Sequence, residues 1–428
     1  MKNVKIDFST ATALVIANMI GTGVFTSLGY QVIDIQSGFS ILMLWVIGGV
    51  IALCGALVYG EIGSAFPQSG GEYNYLSKLY HPAVGFLSGW VSVTVGFAAP
   101  IAAAAAALGL YVSKIFPQVN SIYLAVTVVL LLTAMHATDL KLGTKFQKAF
   151  TTLKVVVIVF FIGAGVFSHP QHEISFMPSA FPWDEIMSAP FAVSLVFVSY
   201  AYSGWNASSY IAGELDDPQK NLPKSLLVGT GVVMLLYVLL NHIFLYTVPI
   251  NELKGYAEVG YLSADKIFGS TVGAFMGLVI ALLLVSTLSA MILTGPRVMQ
   301  SMGNDMSILN FLTISNKKGV PYVAVIVQSI IALTLILTSS FQSLITYVGF
   351  TLSLCTFMTV AGVFILRARK TEAKYKTWGY PITPIIFLVS TAWVMYFIFK
   401  NKPEESLYGL GTVLSGLAVY FIGRRKPI

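Results

Sequence analysis

The sequence predicts an all-α polytopic membrane protein. Its 428 residues are 56% hydrophobic and only 10% charged, whereas about 25% of the residues of a typical soluble domain are charged. Apolar runs long enough to cross a bilayer core of about 30 Å recur along the chain. Two of these runs are interrupted near their middle, at residues 20–23 and 199–205. Irregular backbone at membrane depth is tolerated only where it is buried in protein or lines a cavity.

Taken in order, the apolar runs predict twelve spans, which begin near residues 8, 38, 84, 121, 147, 188, 223, 271, 320, 342, 380 and 404. No polar segment is long enough for a separate soluble domain, so residues 1–428 are expected to form one membrane transport domain. No cleavable signal pattern precedes the first run, so the first span is expected to be retained. The connections at 169–185 and 249–266 are expected to be external, either as lids of a vestibule or as plain connectors.

The net charge of +7 has an uneven distribution along the chain. With the N-terminus inside, 19 of the 25 Lys and Arg residues fall in cytoplasmic segments, five are external, and Lys154 lies within a span. An excess of Lys and Arg in cytoplasmic loops is the usual orientation signal of membrane proteins. The basic charge therefore predicts a cell-membrane protein with both termini in the cytoplasm, with the bilayer and not nucleic acid as its partner.

Residues of the kind that carry metal or redox chemistry are sparse and scattered. Cys54 and Cys355 both lie in apolar runs, and no CxxC, HExxH or His-rich run occurs. Of the five histidines, only His242 is predicted well inside a span, in a hydrogen-bonded packing role, and the others are at positions 81, 136, 169 and 172, near loops or span edges. No cofactor, metal site or catalytic cluster is expected, so the chain is predicted not to be an enzyme.

The two interruptions fall in the first and sixth predicted spans. Because the offset is five spans, the sixth span crosses the membrane in the direction opposite to the first. Residues 8–168 and 186–370 are therefore expected to form inverted repeats of five spans each, with the last two spans at 378–423. Paired breaks in corresponding positions of two repeats indicate a transporter binding site.

The chemistry of the two breaks is complementary. Gly21 and Gly23 allow backbone conformations closed to other residues, and a helix that restarts near Thr22 presents free N–H groups at a partly positive end, which suits a carboxylate. At the second break, a helix that ends between Ser199 and Ser203 leaves carbonyls at a partly negative end, which suits an ammonium. Together they predict a site for an α-amino acid. A packing motif of small residues between helices is the alternative for the first break.

Lys154 lies within the apolar run 151–158, where an unpaired charge costs roughly 2.5–3.5 kcal/mol. One interpretation is that its side chain snorkels to the membrane edge, which Lys148 marks. The other is an interior cation that pairs with backbone carbonyls near the first break.

Polar groups elsewhere in the spans give weaker signals. The acidic residues nearest the spans are predicted at their ends, so no carboxylate proton relay or sodium cage is evident; they are Asp34, Glu61, Asp139 and Glu214. The eighth span carries three hydroxyls that either bond their own helix or help form an ion site, Ser286, Thr287 and Ser289.

Five segments, in this order, resemble the amino acid–polyamine–organocation superfamily, and within it the L-amino-acid transporter type. They are residues 20–25, 66–73, 150–154, 202–206, and 214–218 with 221–223. The resemblance extends over most of the first ten spans. It implies a LeuT-type inverted repeat of five plus five spans within twelve transmembrane helices, with helices 1 and 6 unwound in mid-membrane, and transport by alternating access.

The resemblance also implies roles for individual residues. The substrate site is expected to comprise Met19, Ile20, Gly21, Thr22, Gly23, Tyr200, Ala201, Ser203, Asn206 and Tyr237. Backbone at 20–23 would bind the substrate carboxylate, and the carbonyls of Met19, Tyr200 and Ser203 its amino group. Tyr200 is expected to be an aromatic gate, and Asn206 and Tyr237 to link the substrate to the lysine region. Coupling or gating roles are expected for Lys154, Tyr202, Ser286 and Thr287.

Lys154 matches a lysine that, in sodium-independent members of the family, puts an ammonium near the place where related transporters bind sodium. Thr22 stands where serine is usual, and its extra methyl group is expected to affect substrate choice; Gly213 replaces the first of two frequent acidic residues. No cysteine lies in a predicted external loop, so no disulfide-linked accessory subunit is expected. We therefore predict sodium-independent transport, as exchange, of neutral L-amino acids. The alternatives are a proton-coupled symporter and an amino-acid-binding receptor without transport.

Overall fold

The architecture was analysed in a computed structural model that describes residues 5–138, 140–168 and 174–423, with positions 140–149 and 151 described by their backbone only. The described chain forms helices and no β-strand. The first half contains α1 (Phe8–Met19), α2 (Gly23–Asp34), α3 (Gly38–Ala65), α4 (Glu72–Leu79), α5 (Pro82–Val91), α6 (Ala98–Ile115), α7 (Ser121–Thr138) and α8 (Leu140–Val166). A π-helical segment, Ser92–Phe97, joins α5 to α6.

The second half begins with a short helix and again contains a broken one. Its helices are α9 (Pro182–Ile186), α10 (Ala189–Tyr202), α11 (Pro218–Thr247), α12 (Ile250–Leu253), α13 (Val259–Phe268), α14 (Ser270–Asp305), α15 (Tyr322–Thr338), α16 (Phe341–Ala368), α17 (Ile382–Asn401) and α18 (Pro403–Gly423). Two 3₁₀ segments, Ala207–Glu214 and Ser307–Thr313, follow α10 and α14.

Within the described residues, nine helical stretches are long and apolar enough to cross a membrane. They are Phe8–Asp34, Gly38–Ala65, Pro82–Ile115, Ser121–Thr138, Pro218–Thr247, Ser270–Asp305, Phe341–Ala368, Ile382–Asn401 and Pro403–Gly423. The remaining predicted spans correspond to α8, α10 and α15, whose described apolar stretches are shorter. The predicted polytopic all-α membrane protein is therefore confirmed at this level, and the count of twelve spans stays a prediction.

Both predicted helix breaks are present. The first separates α1 from α2: Ile20 is extended (φ −71°, ψ 92°), and the backbone returns to helical angles at Thr22. The second follows α10, where Ser203 is extended (φ −54°, ψ 143°) and Gly204 has φ +97° before the 3₁₀ segment begins. A Cβ on Gly204 would lie 2.9 Å from the carbonyl carbon of Asn18, so the second break abuts the end of α1.

The glycines of the first break serve a purpose other than the one the sequence suggested. Neither Gly21 nor Gly23 has a positive φ, so the expected use of their conformational freedom is wrong here. Instead, a Cβ on Gly23 would lie 2.5 Å from the Cα of Ala201 in α10. Gly23 therefore allows the start of α2 to approach α10 closely, and of the glycines at the two breaks only Gly204 has a positive φ, which favours glycine.

The helices around the breaks form two groups with α8 between them. In one group, α11 packs along α3 and α1, and α2 packs on α10; in the other, α14 packs along α6 and α13, and α15 packs on α6 and α7. Helix α8 contacts both α11 and α14. A residue on α8 can therefore reach the first break from one side and α14 from the other.

The connections that were expected to be external lie together at one end of the helices. Part of the 249–266 connection is helical, as α12 and the start of α13, and Gly255 donates a backbone hydrogen bond to the Gly29 carbonyl of α2 at 2.8 Å. A cavity of about 590 Å³ lies between residues 36–38, 174–179, Glu185 and 249–251. The role of these connections as lids of a vestibule stays a prediction; residues 169–173, with the histidines at 169 and 172, lie outside the described part of the chain.

We predict that Gly23→Ala lowers the free energy of unfolding by about 1–3 kcal/mol, the usual cost of overpacking a close contact. The matched control is Gly21→Ala, whose Cβ would meet its nearest neighbour, the Thr287 side chain, at an ordinary 3.4 Å. Thermal unfolding of the purified protein in detergent measures both variants. Equal unfolding temperatures for the two would contradict the close approach of α2 to α10.

Candidate functional site

The Lys154 side chain lies inside the protein at the first break. It is only 2% exposed, and its ammonium donates hydrogen bonds to the Ile20 carbonyl and to the Thr287 hydroxyl, both at 3.0 Å. Helix α8 is thereby joined to the break after α1 and to the middle of α14. The interior contact with a break carbonyl that the sequence predicts is present, and snorkelling, the other interpretation, does not describe this side chain.

Tyr237 on α11 joins the two breaks to each other. Its phenol oxygen lies 2.6 Å from the carbonyl oxygen of Met19, at the end of α1, and 3.2 Å from that of Ala201, near the end of α10. The ring is fully buried and packs against Trp45 and Tyr202, with centroid distances of 5.5 and 5.2 Å. One hydroxyl group therefore approaches carbonyls that both helix ends leave without a helical partner.

The start of α2 presents backbone donors toward the break. The N–H groups of Thr22, Gly23 and Val24 belong to the first turn, which has no acceptor within the helix. The partial positive end of the helix dipole is at the same place. Thr22 is 2% exposed, and Gly21 is half-buried. An anionic group such as a carboxylate would find hydrogen-bond donors here.

The last turn of α10 presents carbonyls, but some are already engaged. The Tyr200 carbonyl accepts from the Ser203 N–H at 3.0 Å and from the Ser203 hydroxyl at 2.7 Å. A carbonyl oxygen has two lone pairs, so both acceptor positions of Tyr200 are occupied in this conformation. Sequence reasoning gave the Tyr200 carbonyl to a ligand and did not anticipate that Ser203 satisfies it internally.

Of the other polar residues singled out in the sequence, Ser286 and Thr287 lie near Lys154, and Tyr202 and Ser289 bond to other helices. Thr287 contacts Lys154, and Ser286 is buried beside it with no partner for its hydroxyl among the described residues. Tyr202 donates to the Trp45 carbonyl at 3.0 Å, which ties α10 to α3. Ser289 bonds the Nε2 atom of His136 at 2.8 Å and is therefore directed at α7. Tyr200 is 6% exposed, and its role as an aromatic gate stays a prediction.

Asn206 makes a contact that the resemblance did not imply. Its side-chain amide donates to the Glu72 carboxylate at 3.0 Å, and its expected link between the substrate and the lysine region stays a prediction. Glu72 is 3% exposed and also accepts from the Tyr59 hydroxyl at 2.6 Å. Burial raises the pKa of the Glu72 carboxyl above its ordinary value, and the hydrogen bonds that it accepts oppose this rise only in part. Sequence reasoning missed Glu72 because it follows two glycines in a connection and reads as a loop carboxylate.

The other acidic residues lie either at helix ends, as the sequence predicts, or outside the residues that the structure describes. Glu61 lies near the end of α3 and accepts two hydrogen bonds from Arg367, at 2.8 and 2.9 Å. Asp34 is the last residue of α2, and the Asp139 prediction falls outside the described residues. In the part of the chain that the structure describes, no group of three or more His, Cys, Asp or Glu side chains could hold a metal ion.

Cys54, Cys355 and His242 are packing groups in the described structure. Cys54 and Cys355 are both buried as free thiols, which confirms their prediction as small buried hydrophobes. His242 packs against Phe176 at a tilted angle, with a centroid distance of 4.4 Å, and the hydrogen bond of its predicted role stays a prediction.

A bundle of apolar helices, in which two helices are broken and the breaks pack against each other, defines a polytopic membrane protein. The family model described as "Amino acid permease" matches residues 6–417. The chain therefore belongs to the amino acid permease family, whose members are transporters and not enzymes.

Similar proteins are amino acid transporters of mammals. "Large neutral amino acids transporter small subunit 2" of Rattus norvegicus is 28% identical, over 99% of this chain and 82% of that protein. "b(0,+)-type amino acid transporter 1" of Mus musculus is 28% identical, over 96% of this chain and 85% of that protein. "Asc-type amino acid transporter 1" of Mus musculus is 26% identical, over 99% and 82%.

We predict that Tyr237→Phe lowers the free energy of unfolding by about 1–2 kcal/mol, because the two break carbonyls lose their shared donor in a water-poor site. Tyr80→Phe is the matched control, since it also removes a phenol that bonds a backbone carbonyl, that of Met358 at 2.8 Å, but away from the breaks. Chemical or thermal unfolding in detergent compares the two variants. A Tyr237→Phe protein as stable as the Tyr80→Phe protein would show that this hydroxyl does not hold the breaks together.

Proposed function

We propose that this permease exchanges neutral L-amino acids across the cell membrane, without sodium, by alternating access. The observation that carries the proposal is the buried Lys154 ammonium between the Ile20 carbonyl and the Thr287 hydroxyl. A monovalent cation such as sodium could bind at a site of this kind, between a break carbonyl and a hydroxyl of the neighbouring helix. A covalently attached cation stabilises the broken helix there permanently, so the transport cycle needs no sodium ion.

The substrate would bind as a zwitterion between the two breaks. Its carboxylate would accept from the N–H groups at the start of α2, with the backbone of Ile20, Gly21, Thr22 and Gly23 around it. Its ammonium would take carbonyls at the ends of α1 and α10. Because the Ser203 hydroxyl and N–H occupy the Tyr200 carbonyl, that carbonyl becomes available only if Ser203 turns away.

Amino acids with uncharged side chains are the substrates that best match the proposed pocket. Apart from Lys154, the residues proposed to line it carry no ionised side chain: Met19, Ile20, Gly21, Thr22, Gly23, Tyr200, Ala201, Ser203, Asn206 and Tyr237. A ligand with a second charge would therefore lack a counter-charge in a low-dielectric site. The name of the Rattus norvegicus relative, which specifies large neutral amino acids, supports the same class of substrate.

Twelve spans and an inverted repeat of five plus five are part of the proposal. The breaks after α1 and after α10 are at corresponding places in residues 8–168 and 186–370. The excess of Lys and Arg in one set of connections supports cytoplasmic N- and C-termini. Both cysteines are buried, which supports a transporter that works without a disulfide-linked accessory subunit. In this scheme Tyr202, Ser286 and Thr287 would act with Lys154 in coupling or gating.

Counterflow into proteoliposomes tests the function. Vesicles loaded with an unlabelled neutral amino acid should take up labelled substrate several-fold faster than empty vesicles, in buffers with or without sodium. A panel of alanine, serine, leucine, arginine and glutamate identifies the accepted side chain. Uptake that does not depend on internal amino acid and requires a sodium gradient would refute exchange. Uptake driven by a pH gradient alone indicates a proton symporter, and binding without counterflow indicates a receptor.

We predict that Lys154→Ala abolishes nearly all counterflow, because the Ile20 carbonyl and the Thr287 hydroxyl lose their shared donor. The matched control is Lys114→Ala, which removes an exposed lysine whose ammonium lies 4.4 Å from the centre of the Tyr256 ring. Both variants are reconstituted at equal amounts of monodisperse protein. Unchanged rates for Lys154→Ala would remove the lysine from the mechanism, and partial restoration of Lys154→Ala by added sodium would support its role in place of an ion.

A further inference from the structure

The connection between α3 and α4 is bound to the chain that follows the second break. The N–H groups of Gly70 and Gly71 donate to the carbonyls of Tyr210 and Ser209 at 3.1 and 3.3 Å. The Ser69 hydroxyl accepts from the Gly213 N–H at 3.1 Å. Gly70 and Gly71 have φ of 117° and 51°, a region that favours glycine. The connection therefore lies along the 3₁₀ segment Ala207–Glu214.

Glu72 ends this connection with a buried carboxyl group. One carboxylate oxygen accepts from both the Tyr59 hydroxyl, at 2.6 Å, and the Asn206 amide, at 3.0 Å. The other oxygen lies 3.4 Å from the Ser88 hydroxyl. Among the hydrogen bonds and ion pairs described for Glu72, all the donors are neutral. Burying a carboxyl group with only neutral donors costs free energy that packing alone would not require, so its position needs another reason.

Asn206 gives that reason, because it is the last residue of the turn that forms the second break. Its backbone carbonyl accepts from the Ser209 N–H at 2.9 Å and so begins the 3₁₀ segment. Its side chain is 8% exposed and bonds to Glu72. Two residues earlier, Gly204 takes the left-handed conformation that ends α10. A group that fixes Asn206 therefore fixes the end of α10 and the direction of its carbonyls.

We propose that Glu72 is a positioning residue of the transport site, which sets the second break through its hydrogen bond to Asn206. This inference rests on the proposed function for its transport readout. Glu72 does not touch the substrate in this account. It holds the turn at 203–206 from the far side, so the carbonyls of α10 face the substrate ammonium before the substrate arrives.

Counterflow kinetics of three variants test the proposal. Glu72→Ala and Asn206→Ala should each raise KM about tenfold, with a smaller change in kcat, as expected when the loss of one buried hydrogen bond leaves its partner unsatisfied. The double variant should be no worse than either single one, because both remove the same contact. A variant that merely folds poorly lowers the amount of active protein and leaves KM unchanged.

Two further variants separate positioning from charge and from general packing. Glu72→Gln should keep KM within about threefold of wild type, because one amide oxygen can still accept from both Tyr59 and Asn206. Ser88→Ala is the matched control: it removes the 3.4 Å contact with the other oxygen and leaves Asn206 bound, so KM should stay within about twofold of wild type.

Unchanged KM for Glu72→Ala, additive effects in the double variant, or a Gln variant as impaired as the Ala variant would each overturn the proposal. Failure of the proposed function gives a different result, in which wild-type protein shows no counterflow with any substrate. The pairing is then decided by melting temperatures of the same variants in detergent. Non-additive shifts in melting temperature for Glu72→Ala and Asn206→Ala support the proposal that Glu72 positions the second break. Additive shifts overturn it.

Discussion

The structure depends on satisfying backbone groups that two broken helices release in a water-poor interior. Each break exposes N–H and C=O groups that would cost several kcal/mol apiece in hydrocarbon without partners. Three side chains supply donors: Lys154 to the Ile20 carbonyl, Tyr237 to those of Met19 and Ala201, and Ser203 to that of Tyr200. The close approaches at Gly23 and Gly204 follow, because these donors bridge only breaks that lie side by side.

Under the proposed function, the same constraint would explain how one ligand is exchanged for another. An amino acid offers an ammonium donor and a carboxylate acceptor, which would match the carbonyls of both breaks and the N–H groups at the start of α2. A ligand shifts a conformational equilibrium only by its difference in affinity between the states. In the proposed cycle, the incoming zwitterion would replace internal donors such as the Ser203 hydroxyl, which bonds the Tyr200 carbonyl. Lys154 differs from a bound ion in that it never leaves the site.

Sequence reasoning predicted the features that local rules govern. Apolar length, the glycine-rich interruptions and the cost of a lysine in a span lead to the helices, both breaks and the interior contact of Lys154. It failed where neither partner of a contact carries a local signal of its own. Glu72 and Asn206 are 134 positions apart, and nothing near either one reveals the other. The close packing of Gly23 on Ala201 and the internal bond from Ser203 to Tyr200 also depend on tertiary geometry, which periodicity and composition do not encode.

A density map of the wild-type protein, obtained by electron cryomicroscopy with a transported neutral amino acid in sodium-free buffer, tests the central claim most directly. The account predicts the ligand carboxylate within hydrogen-bond distance of the N–H groups at the start of α2, and its ammonium against carbonyls of the two breaks. It also predicts that the Lys154 ammonium keeps its contacts with Ile20 and Thr287. A ligand bound away from the breaks, or Lys154 paired directly with the substrate carboxylate, would contradict the account.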